Sequence, residues 1–400
     1  MAIDKLFINA RFDRGARHAI AVDKGRISAL LAETERPEAR EVIDLGGALV
    51  VPGFVEGHIH LDTSFYGDAW KPHKPCTNGF DVHERVTFQA QNMAAAAPMD
   101  VRARNQLDLC IGHGTTRMRS HVMVDGSVGL NSLETILRVR DEYRELIEIQ
   151  LVAFPQSGIL KSPGTPELLD EAIRLGADLV GGLDPASFDR DVEKHLDVVF
   201  GVAQKHGVDI DIHLHDPGML GLFELEQIAA RTRVLGMQGH VVVSHAYALG
   251  DLAADALKRI ADVLATSGVA IMTNAPGARP FPPVALLRAA GVTVFSGNDN
   301  IRDSWWPYGD GDLLNRAMMV GYRSGFYVDE ELRIAFDLVT AAGAKALRLA
   351  GYGLNVGARA DLVTLDAEHV PEAVVAVPKG RSVYKDGRLV ARDGRVLRPR

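Results

Sequence analysis

Val50-Val51-Pro52-Gly53-Phe54-Val55-Glu56-Gly57-His58-Ile59-His60 is the stretch on which the fold turns. An apolar run ends in two histidines two residues apart. Residues i and i+2 of a strand point to one face, so both imidazoles enter the same space. Seven more short β runs follow, at 114–122, 147–154, 179–183, 209–213, 241–245, 270–273 and 293–296. Helix-like stretches, such as 166–174 and 191–206, lie between them. Eight parallel strand–helix units predict a closed (β/α)8 TIM barrel rather than an open sheet.

Outward from this core, both chain ends are rich in strands. Residues 5–8, 18–22 and 26–30 alternate with turn formers, including Asp23-Lys24-Gly25. Residues 361–365, 374–377 and 381–384 do the same before a turn at Lys385-Asp386-Gly387-Arg388. The expectation is an α/β protein with a small β-sandwich domain from 1–50 and 355–400, into which the catalytic barrel of 51–354 is inserted.

Composition narrows the function classes. The net charge of -8, with no dense Lys/Arg stripe, argues against a nucleic-acid partner and leaves a small molecule as the better one. No uninterrupted apolar stretch approaches the ~20 residues of a membrane span. The start, Met1-Ala2-Ile3-Asp4-Lys5, has no basic region followed by an apolar run. A cytoplasmic protein is expected. Cys76 and Cys110 form no Cys-x-x-Cys pair, so they read as two free thiols and not as a zinc cluster.

His213 ends the fifth run, His245 ends the sixth, and Asp299 follows the eighth in Ser296-Gly297-Asn298-Asp299-Asn300. With His58 and His60, that places five ligand-type side chains at four strand ends. The C-terminal ends of the strands are where this barrel builds its sites. A lone His-x-His is often incidental; the convergence is what points to a metal.

These motifs resemble the amidohydrolase superfamily. The signature is Val51 to His60, with Gly357-Ala358-Arg359-Ala360-Asp361-Leu362-Val363 near the C-terminus. The resemblance is nearest to its cytosine deaminase branch, which includes N-isopropylammelide aminohydrolase. It runs through His58-Ile59-His60-Leu61-Asp62-Thr63, Arg117-Met118-Arg119-Ser120-His121-Val122 and Ala153-Phe154-Pro155-Gln156-Ser157-Gly158. It continues in Val243-Ser244-His245-Ala246 and in Gly297-Asn298-Asp299 followed by Trp305-Trp306-Pro307.

The resemblance implies that His58, His60, His213 and Asp299 hold one divalent ion, Zn2+ or Fe2+, and that the chain forms a homo-oligomer. The fourth run ends in Gly181-Gly182-Leu183-Asp184-Pro185, without the lysine that bridges two metals in some relatives. The reaction implied is hydrolytic deamination at an exocyclic amine of a pyrimidine- or triazine-like ring. Asp299 would also accept the proton of the attacking water, and His245 would hydrogen-bond that water or the developing oxyanion.

Two departures bear on the substrate. Cytosine deaminase relatives carry a glutamate three residues after the fifth-strand histidine, where this chain has Asp216. His215 shares the face of His213, so the proton carrier is Asp216, preferred slightly, or His215; His215 otherwise orients a ligand. Asn300 stands where those relatives have a second aspartate, which weakens the case for cytosine itself. Gln156 can match the amide-like edge of the ring or satisfy loop backbone. Trp305 forms an aromatic wall or packs its loop; packing is favoured for Trp306. Arg117 and Arg119 read as barrel-interior, salt-bridged residues. The alternatives are an alkylaminohydrolase or cyclic amide hydrolase on the same site, and a non-catalytic scaffold.

Overall fold

The opening run is two strands. Leu49–Pro52 pairs antiparallel with Leu362–Leu365 in a sheet made by the chain ends, while Phe54–Ile59 pairs parallel with Thr115–Met123 in the barrel. Gly53 makes the transfer. Its N–H donates to the Asp361 carbonyl, and a Cβ there would lie 2.2 Å from Thr116 Oγ1, a distance no real side chain tolerates. A continuous apolar pattern hides this break, because both halves are buried. The computed structural model in which it is seen describes residues 2–15 and 17–398.

The barrel strands are Phe54–Ile59, Thr115–Met123, Glu148–Phe154, Leu179–Leu183, Asp209–Leu214, Val241–His245, Ala270–Met272 and Val294–Phe295. They lie side by side in chain order, all parallel. The eighth meets the first through a parallel bridge between Ile59 and Asp299, where Asp299 N–H donates to the His58 carbonyl at 2.7 Å. Lower down, Leu338 and Val339 fill the seam, accepting from Ser296 and Val55. The result is a near-closed barrel.

Its helices form for ordinary local reasons. Val192–His206 starts at Asp191, whose side chain accepts from Lys194 N–H, and stops at Gly207 with φ of 67°. Leu196, Val199, Phe200 and Ala203 fall at i, i+3, i+4 and i+7 and are buried against the barrel. Each of the larger three contributes roughly 1.5–3 kcal/mol of burial.

The strands of the chain ends, expected as a small sandwich, are hydrogen-bonded into one nine-stranded sheet. It curls, so that Phe7 meets Tyr384 edge-on at 5.0 Å although two strands separate their own in the hydrogen-bonded order. The strand expected at 374–377 is instead part of a helix, Val370–Ala376. The His369 side chain caps it at Glu372 N–H, and Val370, Ala373 and Val374 bury one helical face. Helical spacing and a cap prevailed over the β-branched pair. Arg117 ties the barrel to this sheet through Asp361 at 3.0 Å, and Arg119 pairs inside the barrel with Asp211 at 3.1 Å. Cys76 and Cys110 are both free. Among the described residues, no helix is long and apolar enough to cross a membrane.

Candidate active site

Strand alternation puts Asp211 and His213 on one face of the fifth strand; on the first, His58 and His60 reach the same cluster, while a bulge between Glu56 and Ile59 sets Glu56 apart from them. His245 and Asp299 arrive differently. Their φ angles are 74° and 59°, a left-handed conformation that turns each side chain at the strand end. All five ligand-type residues are buried. Asp299 Oδ1 lies 3.6 Å from His58 Nε2 and 3.5 Å from His60 Nε2, and His213 Nε2 is 3.4 Å from His60 Nε2.

The donors suit a divalent cation. The ligand atoms of His58, His60 and Asp299 all lie within 4.8 Å of one another, as do those of His58, His213 and His245. His58 Nε2 is buried with no hydrogen-bond partner among the described residues, which is costly for an imidazole unless an ion is meant to sit there. Burial pulls His58 and His213 well below the usual histidine range, into the neutral form that ligates. Burial pushes the Asp299 carboxyl up, but His245 and His60 outweigh it and keep it ionised.

A second layer of residues positions these groups, and the sequence reading missed it. His58 Nδ1 is 2.9 Å from Ser244 Oγ, and Ser244 donates to Asp211 at 2.7 Å. That chain leaves Nε2 of His58 for the ion. Asn274 donates to Asp299 Oδ2 at 2.8 Å, which leaves Oδ1 toward the histidines. Glu56, pushed up to about 7 by burial, accepts from the backbone N–H groups of His58 and Asn298. Gly297 allows this approach: a Cβ there would lie 2.5 Å from both Glu56 Oε1 and His58 N. Same-face spacing from His213 is a signal that could have found Asp211; nothing local flags Glu56, Ser244 or Asn274. Ser244→Ala is expected to weaken zinc affinity about 10- to 100-fold in chelator competition. An unchanged affinity would remove Ser244 from this role.

The ligand cluster opens into a cavity of about 610 Å³. His60, His213, His245 and Asp299 form its floor, and Gln156, His215, Asn300, Trp305 and Trp306 also line it. The Gln156 side chain makes no hydrogen bond to the described residues, so its amide is not used by the loop. Asn300 donates to Asp303 at 2.7 Å. Trp305 does both of the things expected of it: it lines the cavity and donates from Nε1 to Gln89. Trp306, expected to pack its loop, lines the cavity as well.

The two candidate proton carriers separate. His215 Nδ1 is 2.8 Å from Asp184 Oδ2, and its ring stacks on His245 with centroids 4.7 Å apart. Asp184 sits where the fourth strand ends, at φ of 36°. Asp216, in contrast, turns away. It accepts from Ser187 N–H at 3.1 Å and bonds with Glu224, and it is not among the residues lining the cavity. Burial and Asp216 push the Glu224 carboxyl up to about 9, and burial and Asp184 push the Asp216 carboxyl up as well. The slight preference for Asp216 finds no support in this placement.

A model of the amidohydrolase family matches residues 41–391. N-isopropylammelide isopropyl amidohydrolase of Pseudomonas sp. (strain ADP) is 31% identical over 380 residues, covering 94% of this chain and 94% of that protein. The crystal structure of N-isopropylammelide isopropylaminohydrolase from Burkholderia multivorans superposes with a TM-score of 0.93 at 40% identity, covering 99% of this chain and 100% of that one. That of 5-methylcytosine deaminase from Klebsiella pneumoniae gives 0.85 at 30% identity, with 99% of each chain covered.

Proposed function

The chain belongs to the amidohydrolase family and is a hydrolase of carbon–nitrogen bonds; within that class we propose that it removes an exocyclic amine from a nitrogen heterocycle of pyrimidine or triazine type. The observation that carries this reading is the convergence of the ligand cluster and the Asp184-held His215 on one cavity with Gln156 at its edge.

His58, His60, His213 and Asp299 would hold one divalent ion, zinc or ferrous iron. Bound there, such an ion acidifies water and polarises the carbon under attack. Asp299 takes the proton of the attacking water on a carboxylate lone pair that neither the ion nor the Asn274 amide uses. His245 hydrogen-bonds the oxygen as it adds to the ring carbon. Asp184 holds Nδ1 of His215, leaving Nε2 to pass a proton to the departing nitrogen. A C–O bond forms, the C–N bond breaks, and an amine leaves. Gln156 presents two donors and an acceptor to the ring edge. The scaffold alternative loses its footing, since every expected ligand position is filled.

Ammonia is one leaving group; an alkylamine is the second reading. It is favoured by the size of the cavity, whose far wall includes Met318, Met319 and Tyr322 and has room beyond one six-membered ring. A panel of aminopyrimidines, aminotriazines and their N-alkyl derivatives, given to metal-loaded enzyme, is expected to yield ammonia or alkylamine. Opening of a cyclic imide with no amine released would overturn the proposal. Gln156→Ala is expected to raise KM about tenfold, the worth of one hydrogen bond of roughly 1–1.5 kcal/mol, at unchanged metal content. Unaltered kinetics would return Gln156 to the loop.

A further inference from the structure

The cavity carries charge that the proposed hydrolysis does not use. Arg279, Arg316 and Arg323 line it, against a single carboxylate among the described residues, Asp299. Two of the arginines are committed to backbone. Arg316 donates to the carbonyls of Asn274 and Asn298, and Arg323 to those of Pro276 and Arg279. Arg279 is not. Its guanidinium lies 3.3 Å from the centroid of the Phe80 ring and bonds the Tyr247 hydroxyl, and it makes no ion pair with the described residues. Tyr247 in turn packs on His215 and His245, with centroids 5.6 and 5.7 Å away. Phe80 stands 6.2 Å from His215 and 6.3 Å from Trp305.

A guanidinium resting on an aromatic face and bonded to one hydroxyl still has N–H donors left on its planar edge, and such an edge matches two oxygens of an anion. In a chain of net charge -8, an unpaired cation one side chain from the ligand cluster is a local exception that draws anions inward. We propose that Arg279 is a specificity-determining residue that receives an anionic group on the heterocycle, either a carboxylate or an ionised ring oxygen. This rests on the reading of the cavity as the site of amine removal, and it narrows the substrate to rings that bear negative charge away from the reacting carbon.

Binding of three unreactive rings tests it on zinc-loaded enzyme at neutral pH: uracil, which is neutral; barbiturate, whose charge lies on the ring; and orotate, which carries a carboxylate. Titration calorimetry is expected to give at least one anion a Kd about tenfold or more below that of uracil, the equivalent of roughly 1.4 kcal/mol. Arg279→Gln should erase that preference while leaving uracil unchanged, and Arg279→Lys should keep part of it. The anion that gains identifies the source of the charge.

Several results would overturn the proposal. Equal binding of all three rings is one, and binding of none is another. A preference that survives Arg279→Gln means that the metal reads the charge. A uniform loss of all three affinities in that variant makes Arg279 a latch on Phe80. Amine release is scored separately, so either reading can fail while the other stands.

Discussion

Asp299→Asn is expected to lower kcat by about 10³- to 10⁴-fold while leaving the fold intact. Loss of a positioned general base accounts for about 10²–10⁴ of rate. The same change removes the only carboxylate among the described residues of the cavity lining, and with it the anionic donor among three histidines. Structure should survive, because closure of the barrel uses the backbone of residue 299, not its side chain. Its N–H still donates to the His58 carbonyl, and an amide oxygen can still accept from Asn274. The measurement pairs steady-state rates with metal content and thermal midpoint. Activity within tenfold of wild type at matched metal content would sink the assignment.

The second large effect concerns the proton delivered to the leaving amine. His215→Gln should reduce kcat by about 10²–10³, with metal content unchanged and KM altered far less. Asp216→Asn is the contrasting variant. Asp216 is held by Ser187 and Glu224 outside the cavity lining, so its replacement should move stability more than turnover. The pair of outcomes is discriminating. A collapse of kcat in Asp216→Asn, with His215→Gln near wild type, would restore the role to Asp216 and require the loop to rearrange during turnover.

The parts of this molecule that obey a local period were legible in the chain. His58 and His60 share a strand face, and Leu179–Leu183 and Val241–His245 end where their apolar runs end. The barrel followed from that repetition. What escaped was set at long range or by single backbone turns. The break at Gly53 depends on Thr116 and Asp361. The helix at Val370–Ala376 depends on a cap and on which face is buried.

In the site, the partners that position the ligand-type residues were overlooked, some on strands, such as Ser244 and Asp211, and others past strand ends. Asn274 and Arg279 follow the seventh strand, and Tyr247 follows a left-handed pair, His245 and Ala246, at φ of 74° and 43°. No spacing rule reaches through such a turn. The slight preference for Asp216 over His215 met the same obstacle. A position three residues past a ligand says nothing about direction once Pro217 and the neighbouring Glu224 have fixed the backbone and the carboxyl.

The transfer at Gly53 also sets an order of events during synthesis. Leu49–Pro52, the lead-in to the first two histidines, pairs on one side with Leu362–Leu365, more than three hundred residues further along. Its other contact, at Arg11, is a single register position. While the ribosome is still making the barrel, this edge has almost no partner, and an open apolar strand edge recruits others. The last strands therefore act as a clasp: Leu49–Pro52, which leads into the strand of His58, gains its permanent neighbour only when the C-terminal segment emerges. A polypeptide released just before these strands would carry every ligand-type residue and still leave that edge unpaired.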